Sequence, residues 1–123
     1  MARYITEDEV RQILTMPKAL ELVRTAFTDR ANGEAVDVPR RRTRQPGGHL
    51  HILQAAAPKL NVIGFKAYYA RPSARTFLFT MMNMDKGSLE AIIEADWLGA
   101  MRTGAASGVA TDLLARKDAT VLA

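Results

Sequence analysis

The run DWLGAMRTGAASGVATDLLAR occupies residues 96–116, contains no proline and opens on an aspartate that can cap a helix N-terminus, so it is expected to form one long helix. Its centre is built from residues too small to fill a core alone: Gly104, Ala105, Ala106, Ser107, Gly108, Val109 and Ala110. Gly104 and Gly108 are four apart and share a face, and each costs about 1 kcal/mol of helix propensity relative to alanine. Close packing of another backbone or a bound group is the expected compensation. Arg102 stands just before this small-residue surface and has two readings, a snorkelling surface residue or an anion anchor at the mouth of a site.

Outward toward the N-terminus, residues 89–95 alternate, with Glu90 and Glu94 on one side and Ala91 and Ile93 on the other, as expected of a strand in a sheet with one covered face. Residues 83–87 form a turn that joins it to a strand over 76–82, whose Phe77 and Phe79 are expected core. Residues 71–75 read as a loop. Before it, residues 62–69 are nearly continuous in apolar character except for Lys66, which must either snorkel at a sheet edge or face a polar pocket, because burial without a partner is expensive. Ala55, Ala56, Ala57 and Pro58 suggest a small-residue corner.

Residues 36–44 form an arginine-rich strand. Strict alternation would put Arg40, Arg42 and Arg44 on one side with Val36 and Val38, and Asp37, Pro39, Arg41 and Thr43 on the other. Pro46, Gly47 and Gly48 turn the chain into a returning strand over 50–53. Such a hairpin is either an edge protected by its charges or a grip for an anion, since the planar guanidinium binds carboxylate or phosphate in a bidentate way. At the N-terminus, Thr6 and Glu9 have the spacing of a capping box ahead of Val10, Ile13 and Leu14. Thr15 offers a second cap, with Pro17 in the first turn, and the stripe of Leu20, Val23, Ala26 and Phe27 ends at Gly33. Glu21, Arg24, Asp29 and Arg30 form its wet face.

At 123 residues and 48% apolar content the chain can build one core, and the absence of cysteine excludes disulfides and thiolate chemistry. His49 and His51, the two histidines, have no carboxylate or cysteine cluster beside them, so no metal is expected. The net charge of +4 permits anionic metabolites or nucleic acid. No apolar run reaches the roughly 20 residues of a membrane span, and Glu7, Asp8 and Glu9 are unlike a signal peptide, which makes the cytoplasm the expected location.

Four stretches together resemble the N-terminal part of the ornithine cyclodeaminase/mu-crystallin family: VPRRRT from Val38, LHILQAAAP from Leu50, GFKAY from Gly64 and, most specifically, RTGAASGVATDLLAR from Arg102. The resemblance implies an α+β domain for substrate binding and dimerisation, with N-terminal helices packed on a mixed, largely antiparallel sheet and then a long small-residue helix, over residues 1–116. Residues 117–123 would begin a dinucleotide-binding domain. Members of the family are cyclodeaminases, alanine dehydrogenases and cyclic-imine reductases that use NAD or NADP. Carried over by motif, Arg102 and an arginine of VPRRRT would hold the substrate carboxylate, Arg42 being the first choice and Arg40 the second. Lys66 would be the catalytic residue, touching that carboxylate or the reacting centre. A homodimer is implied.

Two departures bear on activity. The chain has no G-x-G-x-x-G turn after the apolar residues 119–123, and Leu53 and Gln54 stand where relatives often carry Met-Pro. The expectation is therefore a truncated domain that keeps part of a carboxylate pocket and is inactive alone, with no cofactor of its own. The alternative is half of a full NAD(P)-dependent enzyme acting on an amino acid or cyclic imine. Nucleic-acid binding by residues 40–44, with Tyr68, Tyr69 or Phe79 stacking on bases, is set aside because the aromatics fit a core and the arginines have the family explanation.

Overall fold

The computed structural model describes residues 1–121. Its centre is a six-stranded sheet with strands β1 (Arg3–Ile5), β2 (Val36–Gln45), β3 (Gly48–Ala57), β4 (Val62–Arg71), β5 (Ala74–Asn83) and β6 (Leu89–Glu94). The spatial order is β1-β6-β5-β4-β3-β2, with every pairing antiparallel except β1 against β6. Helices α1 (Glu7–Ile13), α2 (Met16–Ala31) and α3 (Asp96–Leu114) complete the fold. This is the expected α+β architecture.

Several local expectations change. β1 is a strand that the N-terminal sequence hardly announces; only three residues pair, with Tyr4 opposite Ile92. The expected corner at Ala55, Ala56 and Ala57 is the end of β3, and the chain turns at the 3-10 turn Pro58–Leu60, where Asn61 takes a left-handed conformation. The expected loop over 71–75 shrinks to Pro72 and Ser73, because β4 and β5 pair out to Arg71 opposite Ala74. The described part of the strand expected at 119–123 carries no strand, and Leu122 and Ala123 lie outside the described residues.

The helix termini show how the layers lock. Thr6 and Glu9 close the capping box of α1 on both sides. Thr15 occupies the N-cap position of α2 without a side-chain bond. Asp96 is not the cap of α3; it is the first helical residue, behind Ala95. Glu7, brought in by α1, does that work: its carboxylate accepts the Asp96 N–H at 2.5 Å and the Trp97 N–H at 3.0 Å. Trp97 Nε1 donates to the Leu14 carbonyl at 3.3 Å, and the Arg11 guanidinium lies 4.4 Å from the Trp97 ring centroid.

The small residues of α3 receive α2. A Cβ on Gly108 would come within 2.8 Å of Leu20 Cδ2, and one on Gly104 within 3.2 Å of Met16 Cε. Met101, Ala105 and Ala19 form the buried core between these helices, with Leu14, Leu20, Val23 and Trp97 around it. A helix, not the sheet, therefore fills the small-residue face.

Paired residues of an antiparallel sheet point to one side, so the register sorts the two faces. Leu53, Lys66, Phe79 and Ile93 lie in one row across β3 to β6 on the face that α3 covers. The opposite face carries Val36, Ile52, Ile63, Phe65 and Met82 around an open apolar depression of about 400 Å³.

Candidate functional site

Lys66 is placed by β4, near the middle of the sheet, and points under the first turns of α3. A Cβ on Gly99 would lie 3.4 Å from Lys66 Nζ, so the helix passes close above the ammonium. The aromatic floor is Tyr68 and Phe77, whose ring centroids are 5.6 Å and 5.3 Å from Nζ. Gly64, two residues earlier, is required by its neighbours: a Cβ there would meet the Thr80 backbone oxygen.

Arg102 reaches the same place from α3, and Arg40 from β2. Leu53, Phe79 and Leu98 continue the wall beside Lys66 and Arg102, giving a cleft of about 350 Å³. Among the described residues none of these three cations forms an ion pair. Partial burial, then Arg102, then Arg40 pull the Lys66 pKa below its ordinary value. Asp96 and Asp37 also line these walls without pairing to the three cations, and the excess of positive charge favours an incoming anion and makes the Lys66 proton easier to give up.

Arg42 lies elsewhere. A β-bulge between Val38 and Arg41 interrupts the alternation expected from the sequence. Beyond it Arg42 pairs with His51 and Arg44 with His49 on the Lys66 face, while Arg41 pairs with Ile52 on the other. Arg42 Nε donates to His51 Nδ1 at 3.3 Å. The signal was Pro39, which has no N–H for the ladder and marks an irregularity inside a strand.

His51 is the residue that sequence reasoning passed over. At 8% exposure it is the buried polar side chain of the described core. Its ring stacks on Tyr68 at 4.4 Å with 5° between planes, and Tyr68 in turn lies 4.8 Å from Phe77. Because arginine only donates, the contact with Arg42 requires an unprotonated His51 Nδ1. Burial, followed by Arg42, Arg40 and His49, lowers the His51 pKa in agreement. This column props up the aromatic floor beneath Lys66. Its only sequence signal was the spacing His49-Leu50-His51, which puts both rings on one face of a strand.

A family model described as the ornithine cyclodeaminase/mu-crystallin family matches residues 3–123. An alanine dehydrogenase from Archaeoglobus fulgidus is 27% identical over 124 residues, covering 95% of this chain and 38% of its own length. Among solved structures, a probable ornithine cyclodeaminase from Bordetella pertussis superposes with a TM-score of 0.89 at 28% identity, covering 94% of this chain and 37% of that one. An archaeal alanine dehydrogenase dimer with bound NAD superposes with a TM-score of 0.91 at 26% identity, over 97% and 39%. The chain thus spans about two-fifths of the length of the relatives it matches.

Proposed function

The chain belongs to the ornithine cyclodeaminase/mu-crystallin family, and from that premise we propose that it is the substrate-side half of an NAD- or NADP-dependent enzyme acting on an amino acid or its imine. One observation carries this reading: Arg40, Lys66 and Arg102 converge on one cleft wall with no carboxylate paired to them. Similarity over nearly the whole chain to an alanine dehydrogenase that binds NAD supports it over the reading of a domain inactive by itself.

In this reading Arg40 and Arg102 hold the α-carboxylate from two sides, and their fork geometry sets the orientation of the α-carbon. Arg42, the first choice from the sequence, is left out of the grip in this reading because it is engaged with His51. Lys66, which lines the same pocket as both arginines, bonds the same carboxylate and exchanges a proton with the α-nitrogen, helped by its weakened hold on that proton. A nicotinamide cofactor would take up the hydride from the α-carbon of an amino acid or deliver it to that of an imine. The chain has no G-x-G-x-x-G turn and Glu7 already occupies the N-terminus of α3, so in this reading the dinucleotide diphosphate is held by a further domain toward which residues 117–123 would lead. Among the described residues no helix is long and apolar enough to cross a membrane, and the cytoplasm is the location proposed.

A second copy of the chain is the partner proposed for the open sheet face. Val36 (58% exposed), Ile63 (43%) and Val38 (38%) form an uncovered apolar surface there, and the archaeal alanine dehydrogenase is a dimer.

Calorimetric titration with L-alanine, L-ornithine and L-proline, each beside its methyl ester, tests the carboxylate site. At least one free acid is expected to bind and its ester to fail. Arg102→Ala and Arg40→Ala should each weaken binding about ten- to a hundredfold, while Arg42→Ala leaves it unchanged. Equal binding of acid and ester, or full affinity in Arg102→Ala, would overturn the assignment.

A further inference from the structure

Between Val38 and Met84 the chain contains eight lysines and arginines and no aspartate or glutamate. Lys59 pairs with Asp29 and Glu34, but none of the other seven forms an ion pair among the described residues. The carboxylate cleft accounts for Arg40 and Lys66, and His51 for Arg42. A second group remains at the far end of the sheet, where the β2–β3 and β4–β5 turns lie side by side.

The register aligns that group. Arg44 pairs with His49, His49 with Ala70, and Ala70 with Arg75, forming one cross-strand row on the Lys66 face. Arg71, one residue past Ala70 and so on the opposite side of the strand, stands at the turn beside the row, and an open depression of about 440 Å³ at the strand ends is lined by Gln45, Gly48, His49, Arg71 and Arg75, with Arg44 outside that lining. The tips are tied together, since Gln45 Nε2 donates to the Tyr69 hydroxyl. Four residues along β4 separate Ala70 from Lys66, or about 13 Å, so a carboxylate held at Lys66 does not reach the row.

We propose that the row of Arg44, His49 and Arg75, with Arg71, is a binding site for a compact oligophosphate. Three guanidinium groups without a competing carboxylate select a polyanion, and the bidentate fork suits phosphate oxygens. The row crosses three inter-strand gaps, about 14 Å, which is wider than one phosphate and matches two or three linked ones. A single-stranded nucleic acid would need exposed aromatic planes for its bases. Tyr69 pairs with Leu50 and Thr76 on the other sheet face and is tied to Gln45, leaving His49 alone.

Inorganic tripolyphosphate is the probe, followed by amide chemical shifts of the 123-residue chain. Shifts are expected at residues 44–49 and 70–75, with affinity about tenfold weaker in the exposed double variant Arg44→Ala/Arg75→Ala and unchanged in Arg102→Ala. ADP binding more tightly than pyrophosphate supports a nucleotide as the carrier, and equal binding supports a free oligophosphate. Indifference to the double substitution, loss of binding in Arg102→Ala, or tighter binding of oligo-dT than of tripolyphosphate would each overturn the proposal.

Discussion

His51 sits in a column of cross-strand neighbours, Arg42, His51, Tyr68 and Phe77, directly beside the row that holds Lys66. Its charged form is disfavoured by burial first and then by Arg42, Arg40 and His49, so the folded chain releases the proton at a pH below the ordinary 6.5. Between that lower value and 6.5 the unfolded chain binds more protons than the folded one, and stability falls as pH drops through this window. Thermal melts at about pH 7.5 and about pH 5 should show a loss for the wild type that is smaller in His51→Gln. Equal losses in both proteins would remove His51 from the account. At this scale Lys66 was legible, because a lysine in an apolar strand demands an explanation. The choice between Arg40 and Arg42 was not legible from alternation, because the two share one parity and differ only in their position along β2, where Arg42 lies opposite His51.

Helix α3 joins the layers, and its N-terminus is held by a residue 89 positions away. Glu7 uses both carboxylate oxygens on α3, while its own N–H donates to Glu94 at 2.7 Å. One glutamate thus ties α1, β6 and α3 together. Glu7→Ala should destabilise the fold by about 1 kcal/mol, the usual worth of an N-cap, and Glu7→Gln by less because it keeps an acceptor. Urea unfolding reads both, with the neighbouring Asp8→Ala as a control; a wild-type midpoint for Glu7→Ala would show that the cap contributes nothing. The helical content and the glycine face of α3 could be read from spacing. The cap could not, since Asp96 satisfied the local rule equally well and only the approach of α1 decides which carboxylate arrives.

The whole molecule is two-sided. Helices cover the face that bears Lys66, and the other face exposes apolar side chains. The buried hydrophobic core is thin: Val10, Ala19, Ala91, Ala95, Met101, Ala105 and Val109, mostly small residues. A fold with so little of its own interior gains most from covering the open sheet, because that surface is already apolar and preorganised. Phe65 stands in the middle of this face, opposite Gln54 and Thr80. Phe65→Asp is expected to convert a dimer to monomers in light scattering, by placing a charge at the centre of an apolar interface, while circular dichroism stays that of the wild type. A wild-type chain that is monomeric at high concentration would sink the dimer.

The sequence by itself determined most element types, the α+β class, the small-residue face of α3 and the family, because these rest on periodicity and on motifs carried within single stretches. Tertiary structure alone decided which arginine joins Lys66, which carboxylate caps α3, and that His51 lies beneath the site. Each depends on contacts between residues distant in the chain, which leave no local pattern to read.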